Sequence, residues 1–147
     1  MTQTFILEEF RLELPAKWKE YPYPESGTLL LQSDEDRASL IITTQLIDTP
    51  LEKAEGAADT NIRARIEAHK AQYPKLQLIE ATIAAHSSGA ALEMFYAVAA
   101  PDEAVLMYIG FLTPRKVQSA LLVCGPDTTA AADLFRQTLR DFQPKIP

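Results

Sequence analysis

The sequence predicts an α+β domain, a curved antiparallel β-sheet of about six to seven strands with two helices packed on it. Three observations carry this expectation. Apolar and β-branched runs recur between short turn signals, as strands do. Two stretches instead space their apolar residues at i and i+4, as helices do. Hairpin-length turns separate the strands after the first helix, and such turns join antiparallel neighbours only. A chain of 147 residues, 47% hydrophobic and 23% charged, fits one ordinary globular domain spanning residues 1–147.

Residues 5–14 read as a first strand closed by Pro15, with Trp18 just beyond it. Tyr21, Pro22, Tyr23 and Pro24 read as an extended loop, because proline donates no hydrogen bond to a central ladder. Thr28–Ser33 is a short strand, Asp34–Arg37 a turn, and Ala38–Ile47 a further strand. Thr49, Pro50 and Glu52 have the spacing of a capping box, with Thr49 as the N-cap and Pro50 in the first helical position. The helix they open runs to about Tyr73, before Pro74. Its apolar stripe is Ala54, Ala58, Ile62, Ile66, His69 and Tyr73, and Asp59, Arg63 and Glu67 mark a solvated side. Leu76–Ala84, Ala90–Ala99, Ala104–Thr113 and Val117–Cys124 then form a four-strand meander. Asp127 or Thr128 caps a last helix that reaches about Phe142, with Ala131, Leu134, Phe135, Thr138 and Phe142 facing inward.

Composition narrows the function. A net charge of −6 disfavours nucleic-acid phosphate and anionic membrane surfaces as partners. The start of the chain has no basic segment and only a short apolar run, and no apolar stretch approaches the roughly 20 residues of a membrane span. A single cysteine, Cys124, suits a reducing compartment, so a cytoplasmic location is expected. One cysteine and two histidines cannot furnish a zinc site. Ser87, Ser88 and Gly89 lack the frame of a nucleophile elbow, and the five glycines are too scattered for a phosphate loop. Asp34, Glu35 and Asp36 read as a solvated turn, His86 as a solvated turn residue, and Cys124 as an inert core thiol. The expectation is a protein with no catalytic residues, no metal and no cofactor.

The meander breaks the rule that a sheet covered on one side alternates apolar with polar residues. Val105, Met107, Ile109 and Phe111 share one face, and Leu106, Tyr108, Gly110 and Leu112 share the other. Two helices blanket roughly one face of such a sheet. The surplus must meet a curl of the sheet, another subunit or a ligand. His69, on the helix stripe, is either a core-edge histidine or a ligand contact.

Phe10–Trp18 (FRLELPAKW) resembles the strand–Pro–x–x–Trp opening of the PsbP-like, or Mog-type, fold, which includes the bacterial DcrB-like group. The resemblance continues through the helix end Lys70–Pro74 (KAQYP), the hairpin His86–Tyr96, and the last helix running into Phe142, Gln143 and Pro144. In length and order of elements the chain is most similar to the Eag-type chaperones of type VI secretion. Those are cytoplasmic homodimers that hold the N-terminal transmembrane helices of Rhs or PAAR-bearing effectors. The resemblance implies an apolar groove that binds such segments, in a homodimer that does not itself insert into membranes. It places Leu29, Leu31, Ile41, Arg65, His69, Tyr73, Val105 and Ile109 on that groove. Arg65 and His69 depart from it, since an uncharged amide and a small residue would suit such a groove better. The other reading the resemblance leaves is a Mog-type regulatory module for a folded partner such as a small GTPase, which requires a polar, charged surface.

Overall fold

The computed structural model describes residues 2–7, 10–22, 28–86, 91–139 and 142. Its elements are β1 (Thr2–Leu7), β2 (Phe10–Pro15), β3 (Lys19–Tyr21), β4 (Thr28–Ser33), β5 (Ala38–Leu46), α1 (Ala54–Gln72), β6 (Gln77–Ala85), β7 (Leu92–Ala100), β8 (Ala104–Leu112), β9 (Lys116–Cys124) and α2 (Thr128–Leu139). A 3-10 turn, Leu51–Lys53, leads into α1. Strands β3 to β9 form one seven-stranded antiparallel sheet in the order β3-β4-β5-β9-β8-β7-β6, and β1 and β2 make a separate hairpin. The α+β antiparallel expectation therefore holds, and the meander of four strands is present as read. The single strand expected at residues 5–14 is instead two antiparallel strands, β1 and β2; residues 8–9 between them lie outside those described. Tyr23, Pro24 and the Ser87–Gly89 turn also lie outside them.

The two helices do not share a face. On β8, Val105, Met107 and Phe111 belong to a core that includes Ala131, Phe135 and Leu139 of α2. Leu106, Tyr108 and Leu112 belong to a second core, built with Ala54, Ala58 and Ile62 of α1. Each helix thus covers one side, which explains why the meander is apolar on both. The expectation that two helices blanket a single face is corrected by that placement. Leu14 and Trp18 extend the α2-side core over Leu29, Leu31, Leu40 and Ile42. That side is consequently closed from β4 across to β8.

Helix α1 starts later than its sequence signal. Lys53 is the N-cap and makes no side-chain capping bond. The capping box fails because the chain is still paired there: Ile47 N–H donates to Arg115 O at 2.8 Å and Thr49 N–H to Pro114 O at 2.9 Å. With Thr49 held against the β8–β9 turn, the 3-10 turn that follows takes Pro50, not Thr49, as its N-cap and has no side-chain capping bond. Helix α2 does begin as read, with Asp127 Oδ1 accepting from Thr129 N–H at 3.0 Å and Ala130 N–H at 3.1 Å.

Candidate functional site: an open strip beside the first helix

The antiparallel register fixes which side chains share a face, because directly opposed residues point the same way. One row on the α1 side runs Tyr21, Leu30, Ile41, Leu121, Tyr108, Tyr96 and Ala81 across all seven strands. Helix α1 packs over β7 and β6, so it covers only one end of this row. Tyr96 and Tyr108 are buried beneath it. Leu30, Ile41, Leu121 and, in the next row, Val123 are partly buried, the last two packed against the edge of the α1-side core, while their neighbours Leu29, Leu31, Leu40, Ile42 and Leu122 are buried on the other side. Three adjacent strands, β4, β5 and β9, therefore present one apolar row to the outside, flanked on the same face by the row Thr28, Thr43 and Ser119 and by the row Gln32, Ser39 and Val123. At about 4.8 Å per strand their floor is some 10–14 Å wide, the diameter of one α-helix.

The wall of this strip is a flank of α1. Gly56, Ala57, Thr60 and Asn61 line a cleft of about 790 Å³ with Gln45, Ile47 and Val117. Along the helix, Ala57, Asn61, Ala64 and Ala68 recur at spacings of four and three, which keeps them on one side. The opposite flank is charged. Asp59 pairs with Arg63 at 2.9 Å and Glu67 with Lys70 at 3.3 Å. Small, uncharged residues on the strip side leave room for a second helix to lie close against α1.

Between floor and wall sits a polar ladder. Tyr96 and Tyr108 stack with centroids 4.8 Å apart at 12°. Asn61 Nδ2 donates to the Tyr108 hydroxyl at 3.1 Å, and Arg65 Nε donates to Asn61 Oδ1 at 3.3 Å. The Arg65 guanidinium lies over the Tyr108 ring, 4.6 Å from its centroid. His69 Nε2 and the Tyr96 hydroxyl share a 2.6 Å hydrogen bond. Burial and the Arg65 charge hold the His69 pKa below its ordinary value, and burial pushes that of Tyr96 up. Both therefore stay neutral at pH 7.

Of the eight residues placed on a groove from sequence, Ile41, Arg65, His69 and Tyr73 lie on the α1 side of the sheet, Ile41 on β5 and the other three on or at the end of α1 over β8, β7 and β6. Leu29, Leu31 and Val105 do not; they are buried in the α2-side core, and Ile109 packs against that same core. Those four therefore lie on the side of the sheet away from α1. They are one residue out of phase with the open face, and in a strand one residue is the difference between the two sides. Leu30, Leu121, Val123, Tyr108 and Asn61 take their place. Part of this was legible, since a hairpin closed by Ser33 and Ala38 sets Leu30, not Leu29 or Leu31, opposite Ile41.

The remaining candidates are structural. Cys124 is buried, its thiol donates to Val105 O at 3.6 Å, and burial pushes its pKa up to about 11. Asp36 lies 2.7 Å from Lys17 Nζ and accepts from Ser33 Oγ at 2.7 Å. His86 is half-buried rather than solvated, edge-on to Phe111 at 5.5 Å. Among the described residues no three His, Cys, Asp or Glu side chains gather as a metal site, and no helix is long and apolar enough to cross a membrane.

Comparison of the whole chain with solved structures finds the same fold. Cyanobacterial PsbP (CyanoP) from Synechocystis sp. PCC 6803 superposes with a TM-score of 0.70 at 15% identity, over 97% of this chain and 92% of that one. The fold is PsbP-like. A Pseudomonas aeruginosa protein of unknown function, PA94, aligns over 99% of both chains with a TM-score of 0.51 and 16% identity. No protein-family model and no curated protein matches the chain. In this PsbP-like sheet the open strip lies on the α1 side of β4, β5 and β9.

Proposed function

We propose that this protein is a non-enzymatic chaperone or adaptor that holds an apolar α-helix of a partner protein on the open strip. The observation that supports the reading is the partly exposed row Leu30, Ile41 and Leu121, one helix wide and walled by the uncharged flank of α1. Covering such a strip is worth about 25 cal/mol per Å² of apolar area. The binding mode is helix-in-groove, and no chemical step is required of any residue.

The partner we propose, from the resemblance of the sequence to Eag-type chaperones, is an N-terminal transmembrane helix of a type VI secretion effector of the Rhs or PAAR class. Such a helix exposes apolar surface in the cytoplasm until export, and a groove of this kind replaces the solvent around it. The homodimer that the same resemblance implies has an available seam in β6, an edge strand with Leu78 60% and Ile79 53% exposed. A regulatory module for a small GTPase would instead need a charged docking surface, and this face of β4, β5 and β9 carries only uncharged side chains.

The test is co-expression with a segment of that kind, followed by recovery of a soluble complex. Leu30→Asp and Ile41→Asp should abolish recovery while thermal melts show that both variants still fold. If the segment is insoluble with the wild-type protein, or is held equally well by both variants, the reading fails.

A further inference from the structure

The half-buried Arg65 has no carboxylate partner among the described residues, and the structure around it leaves a specific part of its guanidinium free. Its face lies on the Tyr108 ring and its Nε–H is taken by Asn61 Oδ1. Asn61 is itself fixed, because its Nδ2 donates to the Tyr108 hydroxyl. Tyr108 in turn is stacked on the buried Tyr96. The acidic residues Asp59 and Glu67 are committed to Arg63 and Lys70 on the far flank. What remains is the terminal Nη edge of an always-charged fork, which matches a carboxylate with two parallel hydrogen bonds.

Arg65 lies beside Tyr108, in the row that continues through Leu121, Ile41 and Leu30 across the open floor. A helix lying on that floor against α1 would pass Arg65 one turn beyond the cleft lined by Ala57 and Asn61. Resting on the docking role set out above, we infer that Arg65 is a specificity residue, and that the helix this strip takes is apolar except for one acidic side chain, Asp or Glu, which pairs with it. A guanidinium already half withdrawn from water gains most from a charged acceptor. The overall charge of −6 opposes an acidic partner only at long range, and salt at 0.1 M screens that beyond about 10 Å.

Three synthetic Leu/Ala-rich helices of equal length, differing only in a central Glu, Gln or Lys, separate this inference from the docking role. Their affinities for the full chain would be measured at pH 7.5 by fluorescence anisotropy. The Glu peptide is expected to bind about ten-fold or more tightly than the Gln peptide, with the Lys peptide weakest. Arg65→Gln should erase the preference for Glu over Gln, and Arg65→Glu should shift it to the Lys peptide. Thermal melts of both variants report their folding, and the peptide series on the wild-type chain does not depend on them. Equal binding of all three peptides, lost in Ile41→Asp, overturns the role of Arg65 and leaves the docking strip standing. Binding of none overturns both.

Discussion

Gly110 makes room for Tyr108: a Cβ at position 110 would lie 2.5 Å from the Tyr108 hydroxyl and 2.8 Å from its ring Cζ. The tyrosine lies along its own strand, over the glycine two residues on, and this carries its hydroxyl to Asn61. The clash involves a buried ring stacked on Tyr96, so the side chain cannot swing away freely. Gly110→Ala should therefore cost about 1–3 kcal/mol in denaturant unfolding. It should also change the Asn61 side-chain amide resonances, because the displaced Tyr108 hydroxyl no longer accepts from Nδ2. Gly56 is the contrasting case, with nothing within 4 Å of its added Cβ in an exposed turn of α1. Gly56→Ala should stabilise by about 1 kcal/mol.

Gln118 is buried at 1% exposure, and neither its Nε2 nor its Oε1 has a hydrogen-bond partner among the described residues. An amide in that position forfeits its bonds to water without replacement. Gln118→Leu should raise stability by about 1–2 kcal/mol, measured as a shift of the urea midpoint at constant m. A destabilised variant would mean that the amide is bonded in solution.

Leu31 and Ile41 test the assignment of faces. Leu31→Asp buries a charge in the α2-side core and should cost about 4 kcal/mol or more, enough to compromise folding. Ile41→Asp places the charge on the partly exposed α1-side face, where solvent reaches it, and should lower the melting temperature much less. Equal losses of stability would show that the strip is closed.

His69 gives the fold a pH dependence of known sign. Its folded pKa lies below the ordinary 6.5 because burial, and then the Arg65 charge, disfavour the imidazolium. The unfolded chain therefore binds the proton more tightly. The contribution of His69 is fully present above pH 6.5 and is lost as pH falls from there through the folded pKa. His69→Gln should flatten the stability profile below pH 6.5 relative to wild type, read by chemical denaturation at several pH values.

The β6 edge predicts self-association. Leu78 and Ile79 are exposed on a nine-residue edge strand, interrupted only by a register shift between Leu78 and Glu80. Ile79→Lys should lower the apparent mass in sedimentation at high concentration without changing the melting temperature. An unchanged mass distribution would remove β6 as a seam.

The local chemistry of the chain determined its elements. Apolar runs in β4 to β9, the Asp127 cap of α2 and Pro74 beyond α1 are short-range signals, and all act where the sequence puts them. Where a signal competed with a distant partner, the partner won, as when pairing of Thr49 with Pro114 displaced its capping box. Which face each helix takes was decided only by tertiary structure, because a strand apolar on both sides, such as β8, carries no parity to read. The same ambiguity hid the site. Three successive leucines, Leu29, Leu30 and Leu31, are alike in sequence, and only the register against Ile41 and the off-centre seat of α1 leave Leu30 open while burying the other two.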